Sequence, residues 1–328
     1  MIASSLNTPT NPRAVLRLDP WLPDYEGAIQ IDPADDGTPG VDTTVETTEW
    51  KAVAASTGDT VPPLYFIDGI RRTEARVLAW HQSGMVHGLF GAVAAGAVRS
   101  ANRQADFDRC AVQRVLLLGG GHFHSETIHA GSAQLIFGGI ATAAKTPAEV
   151  TSELQELMRQ LEAKIAEDVL SDDSLVFIDG PLAYITSLGP AIGVIKRISL
   201  PYIDAAHFAL VTTLALGERT PVFLIADGKR DRYSWYLRIG QRRDFDHELT
   251  GIVRLEVRAT AGLGAAKHLA RMSAAVLVEF ASSAVRDPRA PQNLVPIGAL
   301  EQELRRRMGD PLLIRRGIEK RISEGVEL

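Results

Sequence analysis

Hydrophobic residues fall in short runs of strand length, broken by turn residues, with a few stretches of helical period between them. The first clear run is Leu64-Tyr65-Phe66-Ile67, which closes on Asp68-Gly69. From Arg71 to Trp80 apolar and polar residues alternate, with Arg72, Glu74 and Arg76 on one side. That pattern predicts a strand following a tight bend. Met85 to Val98 reads as a third strand and Gln113 to Leu118 as a fourth, ended by three glycines. The clearest helix follows, with Thr146 as N-cap, Pro147 in the first position and Glu149 completing a capping box. Val150, Leu154, Leu157, Met158, Leu161, Ile165 and Val169 form its single apolar stripe.

A second apolar strand, Leu175-Val176-Phe177-Ile178, then closes on Asp179-Gly180. Beyond it the pattern predicts strands over 191–198, 221–225, 235–239 and 252–257. Helices are predicted over 203–216, 263–280, 298–308 and 311–322. Strands mixed with helices throughout give an α/β (α+β) fold, with no internal repeat. Residues 1–60 read as an arm: prolines punctuate them, Asp and Thr dominate 32–48, and Trp50 to Ala55 has the look of a short helix. The body, 61–328, reads as one elaborated domain.

Composition narrows the function classes only a little. The net charge of −5 is not that of a small basic nucleic-acid module, although a metal-dependent enzyme can be acidic overall. The single cysteine, Cys110, excludes an intramolecular disulfide and fits a reducing cytoplasm. No apolar run reaches the ~20 residues of a membrane span, and the N-terminus lacks the pattern of a signal peptide. His122, His124, Glu126 and His129 could bind zinc but read better as a surface loop.

The informative feature is a coincidence. Phe66-Ile67-Asp68-Gly69 and Phe177-Ile178-Asp179-Gly180 are the same tetrapeptide, each following an apolar strand. An Asp-Gly pair alone is an ordinary turn. A carboxylate on a buried strand costs desolvation, and two at one sheet edge repel unless a cation joins them. Hard cations such as Mg²⁺ and Mn²⁺ take oxygen ligands, and a pair of ions can serve both oxygens of a phosphodiester displacement.

Taken in order, these segments resemble the RNase H-like core of NurA nucleases. The resemblance extends to Gly193-Val194-Ile195-Lys196, to 217–223, to Ser234-Trp235-Tyr236-Leu237-Arg238, to 254–257, and to Pro291-Gln292-Asn293-Leu294 with the helix ending at Gly309. It implies a mixed central sheet flanked by helices over 61–328 and a DNA nuclease (5′–3′ exonuclease, with single-strand endonuclease activity) using two Mn²⁺ or Mg²⁺ ions. It further implies a homodimer working in end resection with a HerA-like hexameric ATPase that translocates DNA.

Asp68 and Asp179 would bind the ions. The family's third acid lies on the helix before the second strand; helical geometry favours Glu162, at the flank of the stripe, over Glu153. The family's C-terminal histidine is replaced here, in apparent register, by Gly298, so the side-chain carbonyl of Asn293 or Gln292 would serve. Lys196, Arg71, Arg72, Arg219 and Arg238 could follow phosphates, and Trp235 could stack a base. The missing histidine leaves room for a non-catalytic partner of a translocase, and the acidic pair by itself for a phosphohydrolase of small substrates.

Overall fold

The computed structural model describes residues 39–55, 60–81, 84–102, 104–171, 173–185, 189–198, 201–228, 230–283, 285 and 287–324. The prolines and acidic residues before position 39 lie outside these. In chain order the strands are β1 (Gly40–Asp42), β2 (Leu64–His81), β3 (Gly84–Ala101), β4 (Gln104–Leu118), β5 (Glu126–Ala130), β6 (Ala133–Ala141), β7 (Leu175–Asp179), β8 (Ala191–Ile195), β9 (Phe223–Ala226), β10 (Arg232–Arg238) and β11 (Ile252–Arg258). The helices are α1 (Pro147–Val169), α2 (Ala205–Thr213), α3 (Leu263–Val276), α4 (Val295–Met308) and α5 (Pro311–Ser323).

One mixed sheet carries all the strands in the order β1-β9-β10-β11-β8-β7-β2-β3-β4-β6-β5. Its centre, β4-β3-β2-β7-β8, has β3 alone running against the other four. Helices cover both faces: α1 packs with Ile67, Val176 and Ile178 on one, and α3 and α4 pack with Phe66 and Phe177 on the other. Close approach on both faces is possible because β3 is built from small residues, among them Ala92, Ala94, Ala95, Gly96 and Ala97.

Helix α1 starts as its sequence dictates. Thr146 caps the Glu149 amide, Glu149 returns a bond to the Thr146 amide, and Pro147 opens the first turn. Three expectations need correcting. First, β2 does not end at Asp68-Gly69; it runs unbroken for 18 residues through both, paired along its length with β3. The neighbouring strand supplies partners on either side of Asp68, so the ladder overrides the local turn signal. Second, Trp50 to Ala55 is not helical. Val53 instead bridges Arg219 in extended conformation, and the Trp50 indole donates to the His207 carbonyl, so residues 39–55 pack on the body. Third, the histidine cluster is not a plain loop. Glu126 and His129 lie in β5, and Glu126 is buried against Arg321 at 3.1 Å.

Candidate metal centre

The two identical tetrapeptides sit side by side. Parallel β2 and β7 pair Phe66 with Phe177 and Ile67 with Ile178, so the next residues along them are Asp68 and Asp179. The two Phe rings stack at 5.4 Å, which locks this register. Strand alternation turns the Ile pair towards α1 and puts both aspartates on the Phe face, below α4. Asp68 is buried within its long strand, whereas Asp179 is the last residue of β7. The chain then turns at Gly180, whose φ of +111° suits glycine.

Helix α4 brings Glu301 down onto this pair. Carboxylate oxygens of Asp68, Asp179 and Glu301 all lie within 4.8 Å of one another. A fourth carboxylate, Glu162, approaches from α1 on the opposite face of the sheet. It passes over Gly69, where a Cβ would come within 2.7 Å of the Glu162 Cγ. The glycine of the first tetrapeptide is therefore the opening through which α1 reaches the centre.

Electrostatics mark the cluster as charged beyond what its own residues settle. Burial pushes the Asp68 carboxyl well above the usual carboxylate range; the charges of Asp179, Glu301 and Glu162 push the same way, and Lys196 opposes them. Burial also raises Glu162, against the pull of Arg159. Asp179 Oδ1 and Glu162 Oε1 are buried without a hydrogen-bond partner. A buried anionic oxygen lacking a donor is costly, and a cation removes that cost. With oxygen donors only, from four carboxylates, the set fits a hard divalent ion.

Three basic side chains hold the acids in place. Lys196, two residues past the point where β8 pairs with Asp179, donates to Asp179 Oδ2 and to Asn293 Oδ1, both at 2.6 Å. Arg159 bonds Glu162 Oε2 at 2.8 Å and the Asp179 carbonyl at 3.0 Å. Arg289 grips both oxygens of Glu301, at 2.6 and 2.9 Å, and both of Asp287, at 3.1 and 3.0 Å.

Among solved structures, the fold is similar to that of the NurA nuclease from Sulfolobus solfataricus. Identity is 11%, the TM-score is 0.48, and the match covers 85% of this chain and 88% of that one. A second NurA crystal structure matches over 40% of this chain and 22% of its own, at 13% identity and a TM-score of 0.18. No family model and no curated protein matches the chain.

Of the residues singled out from the sequence, Asp68, Asp179, Glu162 and Lys196 converge. Asn293, expected as the C-terminal oxygen donor, is bonded to the ring of charges around the acids. Its Oδ1 receives Lys196, its Nδ2 donates to Asp287, and Glu301 is the oxygen that α4 delivers. The Gln292 amide nitrogen donates to the Leu249 carbonyl, and its Oε1 is buried without a partner.

Arg219, Arg238 and Trp235, expected to meet phosphates or a base, lie in the core. Arg219 is buried against Glu46, and Arg238 is buried with its guanidinium on the carbonyls of Thr212 and Thr250. Trp235 is fully buried, its indole donating to Ser273, and cannot meet a base. Arg72 pairs with buried Glu74 and with the carbonyl of Gly309 beyond the end of α4, while Arg71 bonds Gln155 on α1. These strands are covered on both faces, so their side chains became core and clamps.

Sequence reasoning missed Glu301, Arg159 and Arg289. Glu301 had a signal: it stands four residues after Ile297 and three before Leu304, inside the apolar stripe of α4, where a charge needs a partner. Arg289, in an irregular stretch, had none.

Proposed function

We propose that this chain is a metal-dependent nuclease that hydrolyses DNA phosphodiester bonds. The observation that carries the reading is the set of carboxylate oxygens from β2, β7 and α4 within 4.8 Å, two of them on adjacent strands in matching tetrapeptides. A bound divalent ion, Mn²⁺ or Mg²⁺, would polarise a phosphoryl oxygen and lower the pKa of a bound water towards neutrality. Asp68, Asp179 and Glu301 would hold it. Glu162 Oε1, unpartnered and facing the aspartates' charge, would take a further ligand position or orient the attacking water. Arg159 and Arg289 fix the carboxylates that they grip, so little reorganisation is left for the reaction itself. Lys196 places a positive charge beside Asp179.

DNA as substrate, 5′–3′ exonuclease action, a homodimeric state and a HerA-like translocase as partner are proposed on the resemblance to NurA nucleases alone. The non-catalytic alternative rests on the absent C-terminal histidine; against it, Glu301 would offer an acidic ligand from α4. The test is cleavage of single- and double-stranded DNA with Mn²⁺ or Mg²⁺, alone and with the translocase. Asp68→Asn, Asp179→Asn and Glu301→Gln run alongside. Loss of cleavage by at least about a hundredfold in each variant is expected, the range seen when one electrostatic element of a site is removed. A wild type inert in every condition sinks the nuclease reading; cleavage that survives all three substitutions sinks the site.

A further inference from the structure

We propose that Asp287 is a positioning residue of the acidic centre, acting through the Asn293 amide on Lys196. This rests on the nuclease reading above, which makes the centre a metal site. Asp287 lies in the irregular stretch before α4, and Asn293 stands two residues ahead of that helix. Asn293 is fully buried between two groups of opposite kind. On one side the Lys196 ammonium donates to its Oδ1 at 2.6 Å; on the other its Nδ2 donates to Asp287 Oδ2. An ammonium can only donate and an ionised carboxylate can only accept. An amide set between them has one orientation, carbonyl to the lysine and NH2 to the aspartate. Asp287 therefore fixes which end of Asn293 the lysine meets. Lys196 in turn bonds Asp179 Oδ2 at 2.6 Å, so the place of its ammonium sets how that carboxylate turns towards Asp68 and Glu301.

Asp287 is itself held. Its Oδ1 accepts from the Arg289 amide at 2.8 Å and from Arg289 Nε at 3.1 Å, and its Oδ2 accepts from Arg289 Nη2 at 3.0 Å. Burial alone would raise its carboxyl; the bonds from Arg289 and Asn293 outweigh it and hold the group below the ordinary aspartate value, so it stays an acceptor. The first turn of α4 lies over the pair: a Cβ on Gly298 would stand 3.4 Å from Asn293 Nδ2 and 3.5 Å from Asp287 Oδ2. Each oxygen of Asp287 receives two donors, so Asp287→Asn turns an NH2 onto donors whichever way its amide sits. Asn293 then has no fixed acceptor and is free to swing its NH2 onto the Lys196 ammonium. Two donors face to face repel, and the lysine leaves its place on Asp179.

The experiment measures the Mn²⁺ affinity of the full-length chain, with free Mn²⁺ read by electron paramagnetic resonance, in a cycle of Asp287→Asn and Lys196→Met. Asp287→Asn should weaken Mn²⁺ binding about tenfold, the lower end of what losing a group behind a metal ligand costs. In the Lys196→Met background the same substitution should change the affinity by about twofold or less, the margin within which independent effects add. A purely structural role, or a through-space effect of the Asp287 charge, would weaken both backgrounds alike. That result overturns the inference and leaves the nuclease reading standing. Asn293→Leu, neutral and close to asparagine in shape, breaks the link at its middle. It should also cost about tenfold, and adding Asp287→Asn to it should cost no more. Unchanged affinity in Asn293→Leu overturns the inference. So does failure of both Asp287→Asn and Asn293→Leu to fold, which would assign the pair to stability alone. A wild type that binds no Mn²⁺ at millimolar concentration overturns the nuclease reading with it.

Discussion

Gly69 shows how much a single missing side chain governs here. A methyl group at this position would sit 2.7 Å from Glu162 Cγ and 2.9 Å from its Oε1, closer than packed atoms tolerate. Backbone strain is not the issue, because Gly69 lies within a regular ladder opposite Ala95. Gly69→Ala should therefore displace Glu162 and leave the strand in place. We expect a stability loss of about 1–3 kcal/mol, the usual cost of overpacking, together with weaker Mn²⁺ binding. Adding Glu162→Ala should return most of the stability but not the metal affinity. Chemical denaturation of the four proteins gives the coupling between the two positions. Unchanged Mn²⁺ affinity in Gly69→Ala would remove Glu162 from the centre.

At the scale of elements, α4 is the one whose placement matters most, since it carries Glu301. Its apolar stripe, Ile297, Leu300, Leu304 and Met308, sets its face against the sheet. Its C-terminal end is held by arginines from two strands. Arg72 reaches the Gly309 carbonyl at 3.0 Å and Arg114 reaches the Met308 carbonyl at 3.0 Å. Cations at a helix C-terminus complement both its free carbonyls and its dipole. Arg72 also pairs at 2.7 Å with Glu74, whose side chain is fully buried. Arg72→Ala would leave that carboxylate short of its partner, at a cost of about 3 kcal/mol. Urea unfolding should show this loss, while the salt dependence of DNA binding keeps its slope. A slope reduced by about one unit would mean instead that Arg72 neutralises a phosphate.

Across the whole molecule, residues 39–55 are joined to the far edge of the sheet. Val41 pairs with Ile225, and Glu46 accepts from both terminal nitrogens of Arg219, at 2.8 and 2.9 Å, and from the Val222 amide. Burial alone would raise the Glu46 carboxyl; the Arg219 bonds and the Val222 amide outweigh it and hold the group below the ordinary glutamate value of 4.5. A carboxylate lowered on folding adds stability that is fully present above its unfolded pKa and vanishes as pH falls through the folded one. Glu46→Gln should accordingly lower the melting temperature at pH 7 and flatten its decline below pH ~4.5. Parallel melting curves for wild type and variant over that range would show that the pair contributes no linkage. Among the described residues, no helix is long and apolar enough to cross a membrane.

Most elements were legible in the sequence because their signals are local. The capping box of α1, the apolar stripes of α1 and α4, and the two Phe-Ile-Asp-Gly strands each depend on neighbours within a few residues. The acidic pair was legible for the same reason; a third acid on α1 was implied by the resemblance, and helical spacing ranked Glu162 above Glu153. Tertiary structure alone decided the rest. Whether Asp68 ends a strand or lies inside one depends on β3 alongside it, which comes later in the chain. Whether Trp235, Arg219 and Arg238 meet a ligand or the core depends on which faces the helices cover. Glu301 enters the centre only because α4 lies across β2, more than 200 residues away in sequence. The sequence by itself determined the local conformations and the two matching Asp-Gly segments, since propensity and periodicity act over short range. Only the fold decided which carboxylates meet and which counter-charges face them, since burial and Coulomb interactions act through space between residues that the chain keeps far apart.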